Sequence, residues 1–293
     1  SAAQHRPRLN HRLASMQALQ LTTTWPVPTV AAATVAPDGS IDTIGPVDHL
    51  FWIASIAKML VGWTMLVACE EGTVHLDQPV GQPGCTLRHL LAHTGGYAFD
   101  GPQPISKPGA RRIYSNTGIE LAAAALAQAA AMPYAEYQRE AVLAPLGMAA
   151  TELRGSPAHG VRSTVTDMLR FVAELFAPRL LTQASADQFH TVQFPGTSGI
   201  VPGVGRYDDC QWGLGTEVRG SKQPHWTGTR NSPATFGHFG GAGTLLWVEP
   251  GAHVACLALT DRPFSEWSAA ALQLWPALSD AVLSEALAGE VQP

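Results

Sequence analysis

A serine and a lysine stand three residues apart in the least polar stretch of this 293-residue chain. They are Ser55 and Lys58, and the run from Met59 to Cys69 that follows is apolar apart from Gly62 and Thr64. Such a run predicts a helix that is buried on nearly all sides, because a surface helix shows a polar face. Residues three apart share a helix face, so the serine oxygen and the lysine nitrogen can meet.

This pair can supply a nucleophile and its base. Burial disfavours an ammonium ion and drives a lysine toward the neutral amine, which can accept a proton from a serine hydroxyl. The chain has lysine only at positions 58, 107 and 222, and only Lys58 follows a serine at this spacing. The alternative interpretation is that Ser55 simply caps the helix.

A second candidate group is Tyr114 and Asn116, in a loop that opens a predicted helix. A phenol near a lysine can relay a proton, and an asparagine amide can hold the lysine and bind a substrate amide. The alternative is a turn in which Asn116 caps the next helix.

A third candidate group lies in the glycine-rich stretch 236–244, which contains His238, Gly240 and Gly241. Glycines in a strand allow close approach of a ligand or of another backbone segment. A backbone N–H there could face an oxyanion, and His238 could bind an anionic substrate end or assist proton transfer. The alternative is a bulged edge strand with a surface histidine.

The rest of the chain predicts the elements that position these groups. Strands are predicted at 29–36, 41–44, 212–218, 243–248 and 254–260, and helices at 8–20, 59–69, 86–93, 117–132, 133–143, 164–176 and 265–287. Strands at both ends around a helical middle predict an α+β fold: an antiparallel β-sheet built from both chain termini, flanked by helices, with an all-helical insertion. We expect residues 1–60 and 205–293 to form the sheet region and 61–204 a mainly helical region, with the active site between them.

Composition favours a small-molecule or peptide substrate. The formal net charge of −5 argues against nucleic-acid binding, and no apolar run is long enough to span a bilayer. We expect a monomer whose four scattered cysteines are mostly buried free thiols. The first residues lack an initiator Met and a signal-like apolar core, so we expect that a leader has been removed or replaced.

Taken in order, Ser55-x-x-Lys58, Tyr114-x-Asn116 and His238-x-Gly240 resemble the motifs of the serine penicillin-recognising family. That family contains penicillin-binding proteins, serine β-lactamases and related esterases and peptidases. Linking phrases such as 87–96 and 160–164 look like the branch that contains class C β-lactamases. The resemblance covers most of the chain from about residue 29 to 262.

The resemblance implies a role for each residue. Ser55 would be acylated and Lys58 would take its proton. Tyr114 would pass a proton to the leaving group and help to activate the deacylating water, while Asn116 would position Lys58 and the acyl side chain. The backbone amides of Ser55 and Gly241 would form the oxyanion hole. No metal or organic cofactor is implied, and a periplasmic or secreted location is favoured.

His238 stands where most β-lactamases of this family carry lysine, as in some D-alanyl-D-alanine carboxypeptidases and D-aminopeptidases. This departure tilts away from efficient β-lactam hydrolysis. The chain also lacks the Glu-x-x-Leu-Asn of class A enzymes. A peptidase would need an anchor for a charged substrate end, and His238, Arg111 and Arg112 are the candidates; an esterase would need none.

The function predicted is therefore a serine hydrolase that acts through an acyl-enzyme on amide, lactam or ester carbonyls. Alternatives are a carboxylesterase with little β-lactamase activity, a D-amino-acid peptidase or DD-carboxypeptidase, and a non-enzymatic penicillin-sensing receptor. A zinc hydrolase is disfavoured because Leu90 follows His89 where the metalloprotease pattern, completed by His93, needs glutamate. An α/β-hydrolase would need Gly-x-Ser-x-Gly, which is absent. Four tryptophans could line the cleft: Trp52, Trp212, Trp226 and Trp247.

Overall fold

A computed structural model of the protein describes residues 17–288. The strands in that range are β1 Val30–Val35, β2 Ile41–Ile44, β3 Phe51–Trp52, β4 Arg112–Ile113, β5 Glu152–Leu153, β6 Val161–Ser163, β7 Gly199–Val201, β8 Gly205–Tyr207, β9 Glu217–Val218, β10 Phe236–Gly240, β11 Thr244–Glu249 and β12 Val254–Thr260. The α-helices are α1 Ala57–Glu70, α2 Leu87–Leu91, α3 Asn116–Ala130, α4 Tyr134–Gln138, α5 Val165–Phe176, α6 Gln183–Phe189 and α7 Ser268–Ala288. Short 3₁₀ turns lie at Gln17–Thr24, Ala54–Ile56 and Phe264–Glu266, and a π-helical turn lies at Arg139–Leu143.

The main sheet has six strands in the order β2-β1-β12-β11-β10-β9, and every neighbouring pair is antiparallel. β1 and β2 come from the first part of the chain and the other four strands from the last part. The predicted α+β fold is therefore confirmed: both ends of the chain build one antiparallel sheet around a largely helical middle.

The two faces of the sheet bury different cores because side chains alternate along a strand. On β11, Leu246 and Val248 belong to a core shared with α1, α3 and α5, whereas Leu245 and Trp247 belong to a core shared with α7. The sheet is thus covered by helices on both faces.

Several predicted elements are confirmed, among them the 29–44 hairpin, the buried helix after Ser55 and the closing helix. Three details differ. The predicted strand 212–218 is reduced to Glu217–Val218, with Trp212 making an isolated bridge to Glu217. The segment predicted as all-helical also carries short strands of the two small sheets β3-β6-β5 and β4-β7-β8. The predicted helix 8–20 lies mostly outside the described residues, and residues 17–20 belong to a 3₁₀ turn.

Helix α1 is fixed deep in the protein by two glycines. A β-carbon added at Gly62 would lie 1.9 Å from the carbonyl oxygen of Leu214, so no other residue allows this close packing. Gly215 has a φ of +85°, a conformation that glycine adopts without steric cost, and a β-carbon there would lie 2.4 Å from the carbonyl oxygen of Lys58. The first turn of α1 is therefore held rigidly. The division of the chain at residues 60 and 204 stays a prediction.

Candidate active site

The turn that carries Ser55 is strained and tightly packed. Ala54 has a φ of +47°, which is unusual for a residue with a β-carbon. The Oγ1 atom of Thr244 donates a hydrogen bond to the carbonyl oxygen of Ile53, 3.0 Å away. A β-carbon at Gly240 would lie 2.5 Å from that same oxygen, so glycine is what lets β10 approach the turn. Strain of this kind concentrates at functional sites.

The amine of Lys58 lies at the centre of a polar contact set within an apolar core. The side chain is fully buried. Its Nζ atom is 3.0 Å from Oγ of Ser55, 2.8 Å from Oδ1 of Asn116 and 3.1 Å from the carbonyl oxygen of Ala158. The structure thus brings Ser55, Lys58 and Asn116 together as the sequence predicted.

Burial lowers the pKa of Lys58 from 10.5 to about 7, although Glu120 and Asp100 raise it in part. Near neutral pH a substantial fraction of the amine is therefore uncharged. A neutral amine can accept a proton from a hydroxyl at hydrogen-bonding distance.

Tyr114 lies on the other side of the serine. Tyr114 and Ser55 line the same cleft, and Nζ of Lys58 lies 4.6 Å from the centre of the tyrosine ring. Burial raises the pKa of Tyr114 above its ordinary value, and the side chain of Ser55 offsets this only in part. Tyr114 is therefore a protonated phenol at neutral pH, able to donate.

Asn116 is not the cap of α3. That position is taken by Ser115, whose side-chain oxygen accepts a hydrogen bond from the N–H of Gly118 at 2.9 Å. Asn116 begins the helix, and its buried amide oxygen contacts Lys58 instead. The alternative in which Asn116 is only a capping residue is wrong.

His238 is neither on an edge strand nor on the surface. β10 lies between β9 and β11, and the side chain of His238 is buried. Its Nδ1 atom is 2.6 Å from the carbonyl oxygen of Phe239. Because a carbonyl oxygen can only accept, Nδ1 must carry the proton, which leaves Nε2 of the neutral ring as an acceptor.

The charge state of His238 argues against anion binding. Burial, reinforced by the nearby Lys58, lowers the pKa of His238 to about 4. The ring is therefore uncharged at neutral pH. It can accept a hydrogen bond but offers no positive charge to a carboxylate.

A cleft of about 420 Å³ opens beside these groups. Its wall includes Ser55, Tyr114, His238 and Gly241. It also includes six apolar residues, of which only Trp212 was assigned to the site from the sequence. That set is Phe99, Val201, Pro202, Trp212, Phe239 and Phe264. Of the four tryptophans proposed for the cleft, only Trp212 lines it. Trp52 is half-exposed beneath Arg162, and Trp226 and Trp247 are buried in the core shared with α7.

Glu217 also lines the cleft and was missed by sequence reasoning. Its carboxylate accepts hydrogen bonds from Nε1 of Trp226 at 2.8 Å and is 3.0 Å from Nζ of Lys222 and 2.6 Å from Nε2 of His225. Burial alone would raise the pKa of Glu217, but Lys222 and His225 lower it below its ordinary value. The carboxylate is thus ionised, buried and already paired.

The proposed anchors for a charged substrate end are engaged elsewhere. The guanidinium of Arg112 is buried and donates to the backbone carbonyls of Cys210, Ala92, Gln193 and Phe194. Arg111 is exposed and is not part of the cleft wall.

The histidine pair considered for zinc does not form a joint site. Nδ1 of His89 accepts the N–H of Thr86 within its own helix cap, while the ring of His93 packs against Tyr114. No group of three metal-binding side chains occurs within residues 17–288.

The four cysteines are free, and Cys85, Cys210 and Cys256 are buried, as predicted. No helix of the described residues is long and apolar enough to cross a membrane.

The family model named Beta-lactamase matches residues 28–278, so the chain belongs to the β-lactamase family. The crystal structure of a β-lactamase from Mycobacterium bovis is 46% identical, with a TM-score of 0.89 over 92% of this chain and 99% of that one. A D-stereospecific amidohydrolase from Streptomyces sp. shares the fold, with a TM-score of 0.68 and 21% identity over 94% and 98% of the two chains.

A more distant relative is the D-alanyl-D-alanine-carboxypeptidase/endopeptidase AmpH of Escherichia coli (strain K12). The alignment is 25% identical over a length of 224, and it covers 53% of this chain and 58% of AmpH. The match thus spans little more than half the length of that relative. The recognised resemblance and the fold class are confirmed by these comparisons.

Proposed function

We propose that the protein is a serine hydrolase that forms an acyl-enzyme on Ser55. The observation that supports this most strongly is the set of three contacts around Nζ of Lys58. A neutral primary amine has two N–H groups and one lone pair. Oδ1 of Asn116 and the carbonyl oxygen of Ala158 can only accept, so they take the two N–H groups. The lone pair is left for the hydroxyl of Ser55, 3.0 Å away.

In the proposed acylation, Ser55 Oγ attacks a carbonyl carbon while its proton passes to Lys58. The carbonyl becomes a tetrahedral oxyanion. Its collapse breaks the bond to the leaving group, which takes a proton from the phenol of Tyr114, and Lys58 returns a proton to Tyr114. The acyl group then remains on Ser55 until water, activated by the same groups, hydrolyses the ester.

We assign the oxyanion contacts to the backbone N–H groups of Ser55 and Gly241. The carbonyl oxygen of Gly240 accepts from the N–H of Gly243 at 3.0 Å, so it points into the turn. The N–H of a trans peptide points opposite to its carbonyl, so the N–H of Gly241 points out of that turn. Gly241 is exposed and lines the cleft together with Ser55, which places no side chain in the way of a substrate oxygen.

The cleft favours substrates that are uncharged near the scissile bond. Its wall, within the described residues, contains neither lysine nor arginine, and its one carboxylate, Glu217, is already paired. His238 is uncharged, so it cannot replace the missing cation. A carboxylate in this cleft would lose its hydration without gaining an opposite charge, which is costly. We therefore favour ester and amide hydrolysis of neutral substrates, that is, a carboxylesterase-like activity, over a carboxypeptidase.

Steady-state hydrolysis by wild type and Ser55→Ala tests the general proposal, with p-nitrophenyl acetate as the ester and a chromogenic cephalosporin as the lactam. We expect Ser55→Ala to lose hydrolysis of both, whereas Ser40→Ala, at an exposed serine remote in sequence, keeps it. Equal ester hydrolysis by wild type and Ser55→Ala would overturn the proposal.

The preference for neutral substrates needs a matched pair. One peptide ending in D-alanyl-D-alanine is offered with a free carboxylate and with an amidated C-terminus. Faster turnover of the free acid would overturn the assignment of a neutral cleft and favour the carboxypeptidase alternative.

A further inference from the structure

His93 grips the backbone on both sides of Tyr114. Its carbonyl oxygen accepts the N–H of Ile113 at 2.8 Å, and its ring Nδ1 accepts the N–H of Ser115 at 3.1 Å. His93, just after the end of α2, thus binds the backbone of both residues that flank Tyr114, Ile113 and Ser115.

The ring of His93 also packs on Tyr114 itself. The ring centres are 4.7 Å apart, and the His93 ring also meets that of Trp212 edge-on at 5.0 Å. Packing of this kind restricts the directions in which the phenol can swing.

The backbone of His93 adopts the left-handed conformation with which helix α2 ends. Its φ is +58°, in the left-handed region that residues with a β-carbon seldom adopt. It is the usual conformation of the residue after a helix C-cap: the N–H of His93 donates to the carbonyl oxygen of Leu90 at 3.3 Å, and the N–H of Thr94 donates to that of His89 at 2.8 Å. In this conformation the carbonyl oxygen of His93 faces the N–H of Ile113 and its ring nitrogen faces the N–H of Ser115.

The tautomer follows from the contacts. A backbone N–H can only donate, so Nδ1 of His93 must be unprotonated. Burial, with Lys58 nearby, lowers the pKa of His93 well below its ordinary value, which keeps that acceptor available across the neutral range.

We propose that His93 is the positioning residue of Tyr114, which fixes the phenol against Ser55 by accepting the N–H groups of Ile113 and Ser115 and by packing on the tyrosine ring. This inference rests on the proposed role of Tyr114 in the serine hydrolase. His93 itself touches neither Ser55 nor the substrate position in this account.

Two substitutions separate the acceptor from the backbone strain. His93→Gly and His93→Asn both tolerate a positive φ, but asparagine places an amide oxygen where Nδ1 of histidine lies and glycine places nothing there. We expect His93→Gly to lose about 10-fold or more in kcat/KM for p-nitrophenyl acetate, and His93→Asn to recover most of it. Equal activity of His93→Gly and wild type, or an Asn variant as poor as the Gly variant, would overturn the acceptor role.

A double-mutant cycle with Tyr114→Phe tests whether His93 acts through the tyrosine. If it does, adding His93→Gly to Tyr114→Phe changes kcat/KM by less than about 2-fold, since interacting residues are not additive. The full loss from His93→Gly in the Tyr114→Phe background would overturn the proposal, because His93 would then act by another route. A Tyr114→Phe enzyme as active as wild type would overturn it as well.

Hydrogen exchange provides a readout that does not depend on activity. The amide of Ser115 should exchange faster in His93→Gly than in His93→Asn, measured by mass spectrometry on peptides that span 113–116. Unchanged exchange of the Ser115 amide in His93→Gly would contradict the positioning role of His93 even if the protein proved to be a hydrolase. Conversely, faster exchange in His93→Gly together with full activity of Ser55→Ala would support the contact made by His93 and overturn the proposed function.

Discussion

The amine nitrogen of Lys58, whose side chain is fully buried, lies 3.0 Å from the hydroxyl oxygen of Ser55, which lines the cleft. The burial that makes this lysine unusual also sets its charge. An exposed lysine is protonated at neutral pH, whereas the pKa of Lys58 is about 7, so the two states of the amine are both populated there. The geometry and the charge state therefore have one origin, the apolar helix α1.

The pH dependence follows from this pKa. Since Lys58 accepts a proton only when neutral, kcat/KM for a neutral ester should rise as pH increases through about 7 and then level off. His238, with a pKa of about 4, should add no step in this range. A flat profile between about pH 6 and 8 would contradict the assignment of Lys58 as the base, because a base of this pKa must titrate there.

Lys58→Arg should keep a positive charge and lose the base. A guanidinium stays protonated in proteins, so kcat/KM should fall by about 10²-fold to 10⁴-fold, the usual contribution of a general base. Lys107→Arg is the matched control, since Lys107 is exposed. A Lys58→Arg enzyme that folds normally and matches the control would exclude the proposed proton transfer.

Gly240→Ala should damage the site more than the fold. The added methyl group would lie 2.5 Å from the carbonyl oxygen of Ile53 and 3.1 Å from Cβ of Ala54, so the turn that carries Ser55 must shift. We expect a loss of about 10²-fold in kcat/KM, the cost typical of an ångström-scale misplacement. At Gly251 an added β-carbon meets nothing within 4 Å, so Gly251→Ala is the control. Wild-type kinetics in Gly240→Ala would show that the close approach of β10 is unnecessary.

His238→Lys should change selectivity. A lysine at this position would add a cation to a cleft that has none among its described wall residues, so the ratio of activity on a carboxylate-bearing cephalosporin to that on p-nitrophenyl acetate should rise by about 10-fold, as one charged hydrogen bond allows. His75→Lys adds the same charge at an exposed site and should leave the ratio unchanged. An unchanged ratio in a folded, acylation-competent His238→Lys enzyme would argue that residue 238 does not contact the substrate.

Glu217→Gln should destabilise the protein. The substitution removes the charge that faces Lys222 at 3.0 Å in a buried pair, and breaking such a pair typically costs about 3–5 kcal/mol. The control is Glu152→Gln, whose partner Arg154 is exposed, and we expect it to leave stability almost unchanged because solvent screens the pair. Chemical denaturation measures both, and equal midpoints would show that the buried pair does not contribute to stability.

The buried pair of Glu217 and Lys222 should also make the stability of the protein depend on pH. The pKa of Glu217 in the folded protein is lower than its ordinary value of 4.5. Its contribution is therefore present above pH 4.5 and lost as the pH falls below it. The stability difference between wild type and Glu217→Gln should shrink on acidification.

Sequence reasoning found the residues whose chemistry depends on local spacing. Ser55 lies in the 3₁₀ turn that leads directly into α1 and Lys58 lies in the first turn of α1, so their contact follows from helical spacing. Tyr114, Asn116 and His238 were recognised through ordered motifs, and the structure brings them to the same place. The hairpin and the long helices also follow from local patterns of apolar residues.

What could not be predicted depends on distant parts of the chain. The ring of His238 packs near those of Tyr114 and Trp212, 5.8 Å and 5.6 Å away, and both come from other parts of the chain. Glu217 reads as an ordinary surface residue until Lys222 and His225 surround it. His93 was expected to be a packed or capping residue rather than a metal ligand, and its contact with Ser115, 22 positions away in sequence, follows no periodicity. The roles of these side chains remain proposals.

The most direct test of the account is to trap the covalent intermediate. Wild type and Ser55→Ala are mixed with p-nitrophenyl acetate, and separately with a fluorescent penicillin, then quenched in acid within the first turnovers and analysed by intact mass and peptide mapping. The account predicts one acyl group on the peptide that contains Ser55, at least with the ester, and none in Ser55→Ala. An adduct that maps to another residue, or ester turnover that persists in Ser55→Ala without any adduct, would contradict it.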